Sequence, residues 1–376
     1  MSDAATASVT APKPRATVEL IGHLEPERAM LHAATSGRLP HAWLLGGPPG
    51  IGKATLAFRF ARFVLSGRAE EGGGLFGEAP DSLFVPDDHP TARRIAARGH
   101  ADLLTIERPP VKEDRDKDID EDAKRRMRDI PVDEVRRIGP FLRMTAAEGG
   151  WRVVVVDEAE RMNRAAANAL LKLLEEPPNR ALILLVAANP GRLLPTIRSR
   201  CRRLDLAPLA EAEVADWLAV HAPEMAAEDR SALARLSEGS PGRAAALAAV
   251  GGVEIYRRLI DLMADWPRID RDRVHGLADR MVGGAAADSL WSAFGDLLEW
   301  WLSRLVRAAA AGRLPDGTEG EEGRLIDRLV REGSLDRWIE VWEKSRALLE
   351  RADAAALDRR TTLITVFATI EAAGRS

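Results

Sequence analysis

The chain has 376 residues, 46% hydrophobic and 30% charged, with a net charge of -4 from 54 basic and 58 acidic side chains. That apolar content excludes a mainly disordered protein, and the near balance of charge excludes a stand-alone, strongly basic nucleic-acid binder. The single cysteine, Cys201, excludes an internal disulfide framework and any zinc site built from two or more cysteines.

No run approaches the ~20 apolar residues of a membrane helix. The opening MSDAATASVTAPKPRAT lacks the apolar centre of a secretory signal. A soluble, cytoplasmic protein without a membrane partner is expected. Arginine has displaced lysine: only seven lysines occur, and Lys53 is one of them.

The length exceeds what one compact core usually serves, so two or three domains are expected. Residues 1–17 read as a disordered lead-in. A helical pattern runs over 18–36, a short strand over 42–45, and a helix over 53–65, where Leu56, Phe60 and Val64 recur at helical spacing. The stretch 67–100 is irregular, with a flexible turn at 71–74. A strand is plausible at 102–106. Positions 112–128 carry 14 charged residues of 17 and read as a solvated face.

A helix is expected over 131–142. Segment 151–156 is β-branched and apolar on both faces, as in a central strand of a covered parallel sheet. A helix follows over 163–176, stopped by Pro177-Pro178, and then a buried strand over 181–187. This alternation is that of a doubly wound parallel sheet. Beyond Pro208 the strands vanish and helices are expected over 211–220, 229–236, 255–264, 287–311, 321–332, 336–352 and 355–373. The composition shift at Pro208 and the hinge at Gly251-Gly252 divide the chain into 18–207, 208–251 and 252–376. Six of the nine tryptophans lie in the last part and are read as packing residues.

Chemistry is concentrated in two places. Gly47-Pro48-Pro49-Gly50-Ile51-Gly52-Lys53 satisfies G-x-x-x-x-G-K between a strand and a helix. Such glycines let backbone N–H groups turn inward around phosphate oxygens, and Lys53 adds a point charge. Ala54 stands where a Ser or Thr hydroxyl would hold Mg²⁺. Thr55, one residue on, is expected to turn about 100° away. Val153-Val154-Val155-Val156-Asp157-Glu158 ends a central strand in two carboxylates. There Asp157 would be an indirect metal ligand and Glu158 would polarise an attacking water.

Two further segments, Leu193 to Cys201 and Asn168 to Pro178, complete a set of matches with Leu39-Pro40-His41-Ala42-Trp43, Asp157 to Asn163 and Leu357-Asp358-Arg359-Arg360. On these residues the chain resembles the delta-prime family of bacterial DNA polymerase III clamp-loader subunits, within the AAA+ superfamily. The resemblance implies an α/β P-loop AAA+ domain, a small helical lid and an all-α collar. It implies that Arg200, in Ser199-Arg200-Cys201, is an arginine finger acting on a neighbour's ATP, and that Arg243 is the lid arginine facing phosphates. Ala187-Ala188 replaces the usual polar sensor, with Asn189 just beyond. Residues 67–100 hold no cysteine, so the zinc module of many relatives is absent, and His89 and His100 read as ordinary surface residues.

The resemblance further implies a stator of the polymerase III holoenzyme that hydrolyses little ATP itself. It would bind ATP or ADP, with Mg²⁺ held, if at all, by Asp157. Its partners would be gamma/tau motor subunits and the delta subunit in a pentameric ring, with the sliding clamp and primer-template DNA reached through the assembly. Two rivals remain at this level: an autonomous ATPase such as the gamma/tau motor, and a ring member that binds no nucleotide.

Overall fold

Strands β1 (Ala42–Gly46), β3 (Arg152–Val156) and β4 (Ala181–Ala187) are buried at every position, as their continuous apolar sequences require. With β2 (Leu103–Ile106) and β5 (Arg202–Asp205) they form one parallel sheet in the order β2-β3-β4-β1-β5. This computed structural model describes residues 12–71, 80–115, 117, 125–148, 150–282, 287–314, 318, 320–355 and 357–374.

Register and pleat divide the core in two. Ala42 pairs with Ile183 and Val153 with Leu182. Trp43, Val153, Val155, Leu182 and Leu184 face a core shared with α1 (Leu24–Thr35), α2 (Lys53–Leu65) and α4 (Pro90–Ala96). The short α3 (Arg68–Glu71) adjoins α2. Alternate residues Leu44, Val154, Val156, Ile183 and Leu185 face the other core, with α6 (Val132–Arg136), α7 (Ile138–Arg143), α8 (Arg164–Glu175) and α9 (Pro195–Arg198). Helices on both faces make the sheet doubly wound, as its alternating pattern implied.

Local departures have local causes. Helix α1 starts at Leu24 rather than at residue 18, because Gly22 and His23 hold left-handed backbone at φ 60° and 58°. The helix expected over 131–142 breaks at Arg137. The break falls where the Pro140 ring would meet the carbonyl of residue 136, four positions back. Helix α4 had no periodicity to announce it; it is seven residues long, with Pro90 in its first turn and His89 as its cap. Residues 12–17 of the expected lead-in are ordered, with Arg15 buried, and 1–11 lie outside the described residues. Arg62 of α2 donates to the Arg15 and Thr17 carbonyls and Arg59 to that of Val18.

The solvated run over 112–128 is also partly structured. Its α5 (Lys112–Arg115) carries Asp114, which is buried and accepts hydrogen bonds from the Arg125 and Lys117 side chains. Those bonds hold its carboxyl well below the usual carboxylate range. Residues 116 and 118–124 of this run lie outside the described residues, as do 72–74 of the expected flexible turn.

The chain divides into two compact units, one of Ala11–Trp217 with Glu238–Gly242 and a helical one of Leu218–Ser237 with Arg243–Ser376. Helix α10 (Glu211–His221) runs across that division, as does the first turn of the helix at Pro241–Ala249. The helical unit holds α11 (Ala227–Leu236), α12 (Pro241–Ala249), α13 (Gly252–Ala264), α14 (Arg271–Arg280), α15 (Ala287–Ala311), α16 (Gly320–Glu332), α17 (Leu335–Ala355) and α18 (Arg359–Ala372). Helix α14 was not foreseen: it is polar, with Asp270 capping its Asp272 and Arg273 N–H groups. Trp291, Trp300, Trp301 and Trp338 are buried in this unit, so they pack rather than bind. Among the described residues no helix is long and apolar enough to cross a membrane.

Candidate nucleotide site

The loop after β1 borders a cavity of about 480 Å³, a volume suited to a small-molecule ligand. Its walls include Pro49, Gly50, Ile51, Gly52, Lys53, Ala54 and Thr55, with Asp157, Glu158 and Glu160 beyond β3. Gly47 and Pro48, also expected to bind, are not among the described residues lining it. A Cβ on Gly47, at φ 138°, would stand 2.4 Å from the Leu206 carbonyl oxygen, so no other residue fits there. Thr55 lines the cavity beside Ala54, which corrects the expectation that helical rotation turns it away. Both residues sit in the first turn of α2, where the backbone N–H groups have no helical partner and face an anion.

Lys53 is buried, and its Nζ donates to the Pro48 carbonyl. Burial lowers its pKa, opposed by Asp157 and Glu160. Asp157 is pushed up to about 6, chiefly by burial, with the charges of Glu158 and Glu107 adding and a backbone bond from Glu158 opposing. The Glu158 N–H donates to Asp157 Oδ1 at 2.9 Å.

Glu158 itself is occupied. It sits at φ 49°, ψ 47°, and Arg108, just beyond β2, donates from Nη2 to its Oε1 at 3.1 Å and from Nε to its Oε2. The sequence motif gave no sign of Arg108, because the two residues are 50 positions apart. Glu160 was also missed: its Oε1 accepts from Ala188 N–H at 2.8 Å and Asn189 N–H at 3.3 Å, capping the end of β4. Asn189 accepts from Gly191 N–H and so closes a turn.

Two loops complete the walls. Pro12, Pro14, Thr17, Glu19, Leu20 and Ile21 line one side. Ser240 Oγ donates to Pro49 O at 2.9 Å and the Gly242 N–H to Gly50 O at 3.0 Å, so the turn at 239–242 rests on the phosphate loop.

The remaining expected residues lie elsewhere. Arg200 is not among the described residues lining the cavity. Its side chain is 37% exposed, with Nη2 2.9 Å from Glu175 Oε1 and Nη1 donating to Thr196 O at 3.0 Å. Cys201 beside it is partly buried, which pushes its thiol up to about 12. Arg243 belongs to the helical unit. There it opposes the upward shift that burial imposes on the Asp296 carboxyl of α15. Among the described residues no cluster of three or more His, Cys, Asp and Glu is arranged around a metal ion.

The chemistry of the cavity fits a nucleotide's phosphates: a glycine loop, a helix N-terminus and a buried lysine. It does not fit a tightly held Mg²⁺. Ala54 offers a methyl in place of a hydroxyl, and Arg108 engages both oxygens of Glu158, leaving Asp157 alone of the carboxylate pair expected to act there.

Residues 24–210 match a family model described as "DNA polymerase III, delta subunit". Similar curated proteins include DNA polymerase III subunit delta' of Pseudomonas aeruginosa, 38% identical over 57% of this chain and 58% of its own length. Subunit delta' of Escherichia coli is 34% identical over 60% of this chain and 59% of its own. Subunit tau of E. coli is 27% identical over 72% and 38%. The chain thus spans under two thirds of the length of these relatives. Among solved structures, a DNA polymerase III gamma subunit-related protein of Thermotoga maritima is 19% identical over 92% of this chain and all of its own, with a TM-score of 0.39. Residues 24–210, through the family match and the delta' relatives together, belong to the DNA polymerase III delta-prime family.

Proposed function

We propose that this protein is a clamp-loader stator that binds adenine nucleotide, hydrolyses little of it, and supplies Arg200 to the ATP site of a neighbouring motor subunit. The observation that carries this reading is the pairing of an intact phosphate cradle, Gly47 to Lys53, with a disabled hydrolytic carboxylate, Glu158 on Arg108. A water-polarising base must be free to accept a proton, and Ala54 supplies no metal-holding hydroxyl. Arg200 supports the second half: it is half-exposed and stands away from this chain's own cavity. A guanidinium has five N–H donors, of which two are engaged here, so donors remain for a neighbour's γ-phosphoryl group.

In this reading the partners are gamma/tau motor subunits and the delta subunit in a pentameric ring. The ring would act on the sliding clamp and primer-template DNA, and 208–251 and 252–376 would serve as lid and collar. The near-neutral charge supports a grip on DNA shared across the ring. The rival motor reading draws on the tau relative and on Lys53 and Asp157.

Equilibrium binding and turnover of labelled ATP by the purified chain decide between them. The stator reading expects saturable binding with negligible turnover. Steady turnover without partners overturns it in favour of a motor, and absence of binding overturns it in favour of a purely structural subunit.

A further inference from the structure

His23 holds an unfavourable conformation for a reason that lies 28 residues away. It precedes α1 at φ 58°, ψ 29°, a left-handed region that side chains with a Cβ avoid. Its place is that of a helix cap, yet its side chain makes no capping bond. Instead Nε2 lies 2.7 Å from the Ile51 carbonyl oxygen within the phosphate loop. A carbonyl only accepts, so Nε2 carries the hydrogen and donates. The ring also packs on the loop, 3.6 Å from where a Cβ on Gly52 would stand.

The Ile51–Gly52 peptide is planar and trans, so its C=O and N–H point in opposite directions. Holding the Ile51 oxygen toward His23 therefore turns the Gly52 N–H the other way, and Gly52 itself lines the cavity with Gly50 and Lys53. Gly52, at φ 110°, leaves this peptide free to rotate because glycine tolerates either orientation. A flipped peptide would present the Ile51 oxygen to the phosphates, replacing an attractive dipole end with a repulsive one.

We propose that His23 is a positioning residue for the phosphate loop: its Nε2–H pins the Ile51 carbonyl so that the Gly52 N–H faces the phosphates of a bound nucleotide. The proposal rests on the nucleotide reading given under Proposed function. A purely structural role would weaken all ligands and folding together, whereas this role acts on phosphate alone.

The test compares wild type, His23→Ala and His23→Gln for binding of ADP and of adenosine by calorimetry, with thermal unfolding alongside. His23→Ala is expected to weaken ADP about tenfold, the scale of one charge-assisted hydrogen bond, with adenosine unchanged. His23→Gln, whose amide can donate to the same carbonyl, is expected to bring ADP back to within about threefold of wild type. Unchanged ADP affinity in His23→Ala overturns the proposal. So does equal loss of ADP and adenosine, or a His23→Gln chain no better than His23→Ala. A wild-type chain that binds neither ligand overturns the nucleotide reading itself, and this proposal with it.

Discussion

Arg108 holds both carboxylate oxygens of Glu158, with Nη2 at 3.1 Å from Oε1 and Nε bonded to Oε2. The glutamate most able to activate a water is thereby committed to a cation. Two obstacles to hydrolysis therefore stand in series, this ion pair and the missing hydroxyl at Ala54. Restoring the hydroxyl alone, with Ala54→Thr, is expected to leave turnover within about threefold of wild type, whereas Ala54→Thr with Arg108→Ala should raise it about 100-fold, the lower end of general-base effects. Single-turnover ATP hydrolysis by the purified variants measures both. Equal rates in the single and double variants would show that Arg108 does not restrain Glu158.

Arg200 leans on Glu175 at 2.9 Å, in a pair half open to solvent. Exposed pairs are worth about 0.2–1 kcal/mol, so Glu175→Gln should slow the assembled complex no more than about fivefold. Arg200→Ala should cost roughly 10³-fold at the neighbouring site it serves. Neither substitution should alter nucleotide affinity of the isolated chain. Reconstitution with motor subunits and a clamp-stimulated ATPase assay separates the two, and full activity with Arg200→Ala removes the finger assignment.

Asp157 links the site to pH. Its folded pKa is raised to about 6 from 3.8, chiefly by burial. Between those values the folded chain keeps a proton that the unfolded chain has lost. Its contribution is thus favourable in acid and disappears as pH rises through 6, after which the ionised group is a constant burden. Asp157→Asn should therefore gain stability relative to wild type as pH rises from 4 to 7, reaching about 3 kcal/mol. Urea unfolding of both chains across that range tests the sign; a flat difference would mean that Asp157 is not buried as an ion.

Cys201 offers a probe of the surroundings of Arg200. Burial pushes its thiol up to about 12, and thiolate is the reactive form. Iodoacetamide at pH 8 should modify the folded chain at least ~100-fold more slowly than the urea-unfolded one. Because the chain has one cysteine, the rate reports opening of that single segment. Comparable rates in both states would place the thiol in solvent.

The fold was legible where the period was strong. Helix α2 and strand β4 carry the bounds their sequences imply, since buried runs such as Ala181 to Ala187 admit one arrangement. Helices α4 and α14 were not, because a short, polar helix held by caps at His89 and Asp270 has little apolar stripe to read. In the site, Gly47 to Lys53 was legible because neighbours in sequence make the cradle. His23, Arg108 and Glu160 were not, because each meets its partner 28 or more positions away.

The turn at 239–242 bears on how the P-loop unit can be isolated. The chain leaves that unit at Trp217, and Glu238–Gly242 returns to it, with Ser240 and Gly242 bonded to Pro49 and Gly50 and the Leu209 N–H bonded to Gly239. The P-loop unit is therefore not one uninterrupted stretch of sequence. A fragment ending near residue 210 contains every motif residue of the loop yet lacks the backstop on which that loop rests, so excision at the family boundary removes part of the cavity's own wall.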